Sequence, residues 1–217
     1  PTRSASRFLQ IEFIFSLFRS SQKIGCDRAS MAARLKNVPA PPASTAPTMA
    51  YNRKDDLEKS NNLLKLKDYL IITGSAGVGK TKFSLELASN FHKENPQYII
   101  KYIRNNNQLI WEDLKVQIVK DKKYLIVVDD ANKLRSNLSS IVNFKDEFNE
   151  GSIKIILTVR NYLKKEVENE LKNFEEIELN NFDKTELANI LQSPEYNITN
   201  YYVDRIYSIS KGNPRIA

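Results

Sequence analysis

Residues 74–81 read Gly74-Ser75-Ala76-Gly77-Val78-Gly79-Lys80-Thr81, and they gather three of the chain's six glycines within six positions. The spacing is that of G-x-x-x-x-G-K-[ST]. A phosphate chain needs many hydrogen-bond donors around it, and bulky side chains would block its approach. Glycines let the backbone curl so that successive N–H groups point inward at the start of a helix. Lys80 is placed to reach β- and γ-phosphates, and the Thr81 hydroxyl to ligate Mg²⁺.

Two further groups belong to the same chemistry. Asp129 follows the uncharged run Tyr124 to Val128, so its carboxylate should emerge at the end of a buried strand. There it can hold Mg²⁺, directly or through water, while Asp130 can orient or deprotonate an attacking water. Arg160 lies two residues beyond Thr158, which ends another apolar run. A guanidinium at that edge can contact a γ-phosphate, because its planar donors match phosphate oxygens.

These groups need a scaffold that delivers them to one edge, and the sequence has the rhythm for it. Short apolar runs at Asp68–Thr73, Tyr98–Ile103, Tyr124–Val128, Ile153–Thr158 and Glu175–Leu179 read as strands. Between them lie helical stretches. Lys80–Phe91 places Phe83, Leu87, Ala88 and Phe91 on one face; a second stripe is Trp111, Leu114 and Ile118; a third is Leu163, Val167 and Leu171. Trp111 is expected in the core, His92 at an exposed helix end, and Asn105 to Asn107 in a loop. Alternating strands and helices imply right-handed crossovers and a mainly parallel sheet covered on both faces, a three-layer α/β sandwich. Open sheets of this kind bind ligands at the carboxyl ends of their strands. After the fifth strand, Asp183 and Glu186 form a capping-box pattern for a short helix. A last helix would turn Tyr202, Val203, Ile206 and Ile209 inward and stop at Gly212.

Composition removes other chemistries. One cysteine, Cys26, excludes an internal disulfide framework, and one histidine, His92, leaves no Cys/His zinc site and no ready Ser-His-Asp relay. The net charge of +7 is uneven: residues 1–50 carry seven basic and two acidic groups, leaving 26 and 24 in residues 51–217. The basic excess therefore says little about the folded part. The first 47 residues also hold five of the eight prolines, with a run from Val38 to Pro47 that suits a semi-rigid linker. Residues 1–50 are expected to be a leader and linker outside the fold, disordered or foreign to the native protein, with a targeting segment or a packed element as the alternatives. Their apolar stretch, Phe8 to Phe18, is too short to span a bilayer.

The motifs together resemble the STAND-type P-loop NTPases, the group that includes NB-ARC and NACHT domains and is related to AAA+ proteins. The resemblance rests on GSAGVGKT at 74–81, YLIVVDD at 124–130, LTVR at 157–160 and GNP at 212–214. An Arg-plus-helix segment, Asn52 to Glu58, adds to it. It covers residues 51–217 and implies a P-loop core over 51–181 with the start of a helical lid over 182–217. It further implies a five-stranded sheet of order 5-1-4-3-2, with Asp129 as the Walker B magnesium residue and Asp130 its acidic neighbour. Arg160 would sense the γ-phosphate, Pro214 would lie against adenine, and Arg53 would approach the base or phosphates.

By the same resemblance, ATP, ADP and Mg²⁺ are the expected ligands, and the activity is a slow ATP-hydrolysing switch of a signalling or defence protein. A cytoplasmic location and a homo-oligomer in the full-length ATP state are also expected, as are sensor and effector domains that this sequence does not supply. A motor or loader acting on nucleic acid is the alternative, but the near-neutral charge after residue 50 counts against it. A phosphotransferase would need a second cationic set for its acceptor, and after Arg160 only Lys164 and Lys165 are available, which read as a solvated face.

Overall fold

A computed structural model describes residues 53–103, 110–134, 136–193 and 196–217. The expected leader over 1–50 and the loop at Asn105 to Asn107 lie outside the described residues. Five strands form one sheet: β1 (Tyr69–Gly74), β2 (Tyr98–Ile103), β3 (Lys123–Val128), β4 (Ile153–Thr158) and β5 (Phe174–Leu179). Their order is β2-β3-β4-β1-β5, and every pairing is parallel. The expected order is therefore present, read from the opposite edge.

Burial follows position in the sheet. The central strands β1 and β4 are buried at every residue, Lys154 of β4 included, because both faces of the sheet are covered there. The edge strands β2 and β5 are only partly buried, which fits Lys101, Glu175, Glu176 and Glu178 within them. Alternate residues separate the two faces. Tyr69, Ile71, Ile126, Ile155 and Leu157 face one core cluster, and Leu70, Ile72, Leu125, Val127 and Ile156 face the other.

The first face is covered by α3 (Ile110–Gln117), α4 (Ser136–Asp146) and α5 (Lys164–Glu168), through Leu114, Ile141, Phe144 and Val167 among others. The second is covered by α1 (Lys54–Leu66) and α2 (Lys80–Glu94), through Leu64, Phe83, Leu87, Ala88 and Phe91. All four residues of the expected α2 stripe are thus buried. A small third cluster of Phe182, Leu187, Leu191 and Val203 joins α6 (Lys184–Leu191) to α7 (Asn200–Ser210). The capping box at Asp183 and Glu186 is formed, with bonds of 2.7 and 2.8 Å.

Several expectations need correction. Tyr202 and Ile209 face outward, at 53% and 65% exposure, because the face of α7 against α6 is narrow and is filled by Val203 and Ile206. Trp111 is half-buried at the rim of its cluster, edge-on to Phe144 at 5.5 Å. The stripe of Leu163, Val167 and Leu171 is not one helix. A 3₁₀ turn at Asn161–Leu163 precedes a five-residue α5, and Leu171 lies beyond it. Lys164 is not merely solvated, since it pairs with Glu168 and Glu176. No helix among the described residues is long and apolar enough to cross a membrane.

At the amino ends of the strands, Asp68 joins three elements. It accepts from Lys145 Nζ at 2.9 Å, from the Gly151 amide at 3.3 Å, and lies 3.5 Å from Lys154 Nζ. Burial pushes its carboxyl up, but the Lys145 and Gly151 hydrogen bonds and the two ammonium charges outweigh it and hold the group below its ordinary 3.8. Lys154, in the middle layer, is 5% exposed and also donates to the Lys67 carbonyl at 3.1 Å.

Candidate phosphate-binding site

The register brings the chemistry-bearing residues to one edge. Ile72 of β1 is opposite Thr158 of β4, and Val128 of β3 is opposite Leu157. Gly74, Asp129 and Thr158 therefore emerge together at the carboxyl ends of three adjacent strands, and α2 starts at Lys80 beside them. No acidic residue occupies the first turn of α2, so its positive end is left for an external anion.

A hydrogen-bond chain ties these strand ends together. Thr81 Oγ1 donates to Asp129 Oδ1 at 2.9 Å, and Thr158 Oγ1 donates to the same oxygen at 2.7 Å. The fully buried Thr158 hydroxyl accepts in turn from the Asp130 amide at 2.9 Å. Asp129 thus receives one donor from the loop helix and one from β4, which fixes its rotamer. Asp130 sits in the left-handed region at φ 50 and its carboxylate pairs with Lys133. Lys80 is buried and donates to the carbonyls of Gly74 at 2.8 Å and Ser75 at 2.7 Å. Burial pulls its ammonium below the usual lysine range; Asp130 opposes that shift, Arg160 adds to it and Asp129 opposes it. Arg160 is half-buried and donates to the exposed Tyr162 hydroxyl at 3.2 Å, the bond that chiefly raises its own affinity for a proton.

The carboxyl-terminal segment reaches the same loop. Asn213 Nδ2 donates to the Ala76 carbonyl at 2.8 Å, and Asn213 Oδ1 accepts from the Arg215 amide at 3.0 Å. The approach is so close that a Cβ on Gly77, at φ 86, would meet Asn213 Oδ1 at 2.7 Å and Arg215 Cβ at 2.8 Å. Pro214, half-buried, is carried to the loop with its neighbour. Asn181, between β5 and α6, accepts from Ser75 Oγ at 3.2 Å and donates to the Lys211 carbonyl at 3.1 Å. Gly212 lies against the Phe182 backbone, whose amide donates to it at 3.0 Å, and a Cβ there would overlap the Phe182 carbonyl.

Arg53 is buried, but among different partners. Its guanidinium lies 4.4 Å over the Phe182 ring, donates to the Asn180 carbonyl and is 3.7 Å from Asp56. None of these is in the phosphate loop. Burial lowers its proton affinity against the opposing charges of Asp56 and Glu186. Sequence reasoning gave neither Asn181 nor Asn213 a role of its own. Asn213 lies inside the GNP motif, but nothing in its type marks it as a contact to a loop so far upstream.

The donor set suits a magnesium nucleotide. Mg²⁺ takes oxygen ligands and keeps several waters and phosphate oxygens. Thr81 Oγ1 and Asp129 Oδ1 supply two neighbouring oxygens. Among the described residues no group of three or more His, Cys, Asp or Glu is placed to hold a metal ion. A shallow groove on α1, lined by Asp55, Glu58, Asn62 and Leu66, takes no residue from this site.

Residues 51–197 match the model of nSTAND3, described as Novel STAND NTPase 3. No curated protein matches the chain. Among solved structures, the ORC2 protein of Aeropyrum pernix in its ADPNP–ADP complexes is similar with a TM-score of 0.51 at 16% identity, over 73% of this chain and 56% of that one. A Walker-type ATPase of Pyrococcus abyssi has a TM-score of 0.52 at 12% identity, over 75% and 64%. A RuvB variant of Thermotoga maritima has 0.52 at 19%, over 76% and 58%. These likenesses show the shared P-loop fold, and the chain spans between 56% and 64% of the length of those structures.

Proposed function

Because the chain belongs to the novel STAND NTPase 3 family and has the P-loop NTPase fold, we propose that it is an ATP-binding, slowly hydrolysing switch of a cytoplasmic signalling or defence protein. Residues 51–181 serve as its nucleotide-binding core and residues 182–217 as the start of a lid. The observation that carries the reading is the convergence of Lys80, Thr81, Asp129 and Thr158 at one sheet edge, where Thr81 and Thr158 donate to Asp129 at 2.9 and 2.7 Å and Lys80 donates to the loop carbonyls of Gly74 and Ser75 at 2.8 and 2.7 Å.

Each side chain has a task in this reading. The amides of residues 74–81 cradle the phosphates, and Lys80 exchanges its two carbonyl partners for β- and γ-phosphate oxygens. Thr81 and Asp129 would hold Mg²⁺, and the ion would supply neutralisation of phosphate charge there. Asp130 orients the attacking water. Arg160 leaves Tyr162 for the γ-phosphate, so that ATP and ADP differ in what they offer β4. Pro214 lies against the base, and Arg53 supports the lid from beneath Phe182. A ligand shifts a conformation only through its differential contacts with the two states, and Arg160 supplies such a contact. A homo-oligomeric ATP state belongs to the full-length protein.

Thermal unfolding with ATP, ADP and GTP, each with and without Mg²⁺, tests the binding step. Magnesium-dependent stabilisation by ATP and ADP is expected, and its absence with every nucleotide would sink the reading. Hydrolysis measured with and without DNA or RNA tests the switch: strong stimulation would replace it with a motor acting on nucleic acid.

A further inference from the structure

Two asparagines connect the phosphate loop to the carboxyl-terminal segment, and neither is used by the chemistry above. Asn213 is 7% exposed, and both ends of its amide are engaged: Nδ2 with the Ala76 carbonyl, Oδ1 with the Arg215 amide. Asn181 likewise bridges Ser75 and the Lys211 carbonyl. The loop is therefore held at two successive residues by side chains that also hold the segment 211–215.

The peptide between Ala76 and Gly77 explains why this contact bears on phosphate. No peptide bond in the described residues is cis, so the Ala76 carbonyl and the Gly77 N–H lie in one plane and point in opposite directions. Anchoring the carbonyl on Asn213 turns the Gly77 N–H away from the segment. Gly77 is the residue whose positive φ and lack of a side chain admit Asn213 so closely. If that peptide were to rotate, the loop would lose the contact and a donor direction together.

From this geometry we infer that Asn213, assisted by Asn181, is a positioning residue for phosphate binding: its amide sets the Ala76–Gly77 peptide, so phosphate capture and docking of residues 211–215 strengthen one another. The inference rests on the nucleotide-binding reading and adds to it the element that senses an occupied loop. Because coupling between two binding events is reciprocal, whatever the docked segment adds to phosphate affinity, phosphate returns to docking.

The test uses the full 217-residue chain with Mg-ADP as the probe. Asn213→Ala removes the amide, and Asn213→Leu removes it while keeping the branched arrangement of side-chain heavy atoms. Both should weaken Mg-ADP by about threefold to tenfold, the range expected for one hydrogen bond. Hydrogen exchange gives the second readout. In the unaltered chain, peptides covering 74–81 and 211–217 should both gain protection on Mg-ADP; in the Leu variant only the loop peptide should. A packing role alone would leave the Leu variant with full affinity and with protection at both peptides. Affinities within twofold of the parent for both variants, or retained coupled protection in the Leu variant, overturn the inference while the nucleotide reading stands. No Mg-ADP binding by the parent chain overturns both. Should the Asn213 variants fail to fold, Asn181→Ala, at an exposed position, decides in their place. The same uncoupling with a smaller loss of affinity is expected, and unchanged affinity and coupling count against it.

Discussion

Replacing Thr158 with valine should separate the strand-end network from the packing that surrounds it. Threonine and valine have nearly the same shape, and the site is fully buried, so the substitution removes a hydroxyl and little else. That hydroxyl donates to the Asp129 carboxylate at 2.7 Å and accepts from the Asp130 amide at 2.9 Å. The first bond is to a charged group, worth about 1.5–3 kcal/mol; the second is neutral, worth about 0.5–1.5 kcal/mol. The extra methyl returns up to about 0.8 kcal/mol through burial. A net destabilisation of about 2 kcal/mol follows. With a denaturant slope of about 2 kcal/mol per molar for urea, the unfolding midpoint should fall by about 1 M. The same variant should show a weaker gain in stability from Mg-ATP than its parent, because Asp129 has lost one of the two donors that fix it. A midpoint within about 0.25 M of the parent would refute the reasoning, since it would mean that water or a backbone shift replaces both bonds at no cost.

Four further outcomes follow from other parts of the molecule. Lys80→Ala should abolish stabilisation by Mg-ATP and Mg-ADP in thermal unfolding while leaving the unliganded midpoint within a few degrees, because its bonds in the fold are only to loop carbonyls. Gly212→Ala should undock the last two helices, seen as faster proteolysis within 184–217 with the sheet intact, because a Cβ there overlaps the Phe182 carbonyl. Gly77→Ala combines a strained φ of 86 with a clash against Asn213 and should lower stability by about 1–2 kcal/mol in urea unfolding. Asp68 supplies the pH dependence. Its folded proton affinity is depressed below the ordinary 3.8, so its contribution is complete above that pH and is lost as pH falls below it toward the folded value. Asp68→Asn should flatten the stability profile of the chain in that acid range, measured by urea unfolding at successive pH values.

The sheet and its loop were legible because their signals are local. β1 is an uninterrupted apolar run, β4 is one broken only by Lys154, and the glycine spacing of 74–81 has a single mechanical meaning. α4 gave no such signal: SNLSSIVNFKD is rich in Ser and Asn, which are indifferent helix formers, and it becomes a helix by packing Ile141 and Phe144 on the sheet. α7 misled for the opposite reason. Its apolar residues cover more of its circumference than α6 can bury, so the pattern over-predicted the inward set. In the site, Asp129 and Thr158 could be placed at strand ends from the runs before them. The contact of Asn213 with Ala76 spans 137 positions, and no periodicity encodes it. Arg53 is expected toward the nucleotide from the sequence, whereas its contacts with Phe182 and Asn180 are to the joint after β5.

The position of β1 has a kinetic side. It carries the loop, yet both of its neighbours are made much later, with Tyr69 opposite Ile155 on one side and Phe174 on the other. During synthesis β2 and β3 can pair early, while β1 waits for roughly the next hundred residues to leave the ribosome. Closing so long a loop is slow, and until then a strand as apolar as YLIIT stays exposed to misassociation. The phosphate loop is thus among the last features to acquire its shape. A chain cut before β4 would have every residue of the phosphate loop and neither of the strands that β1 pairs with.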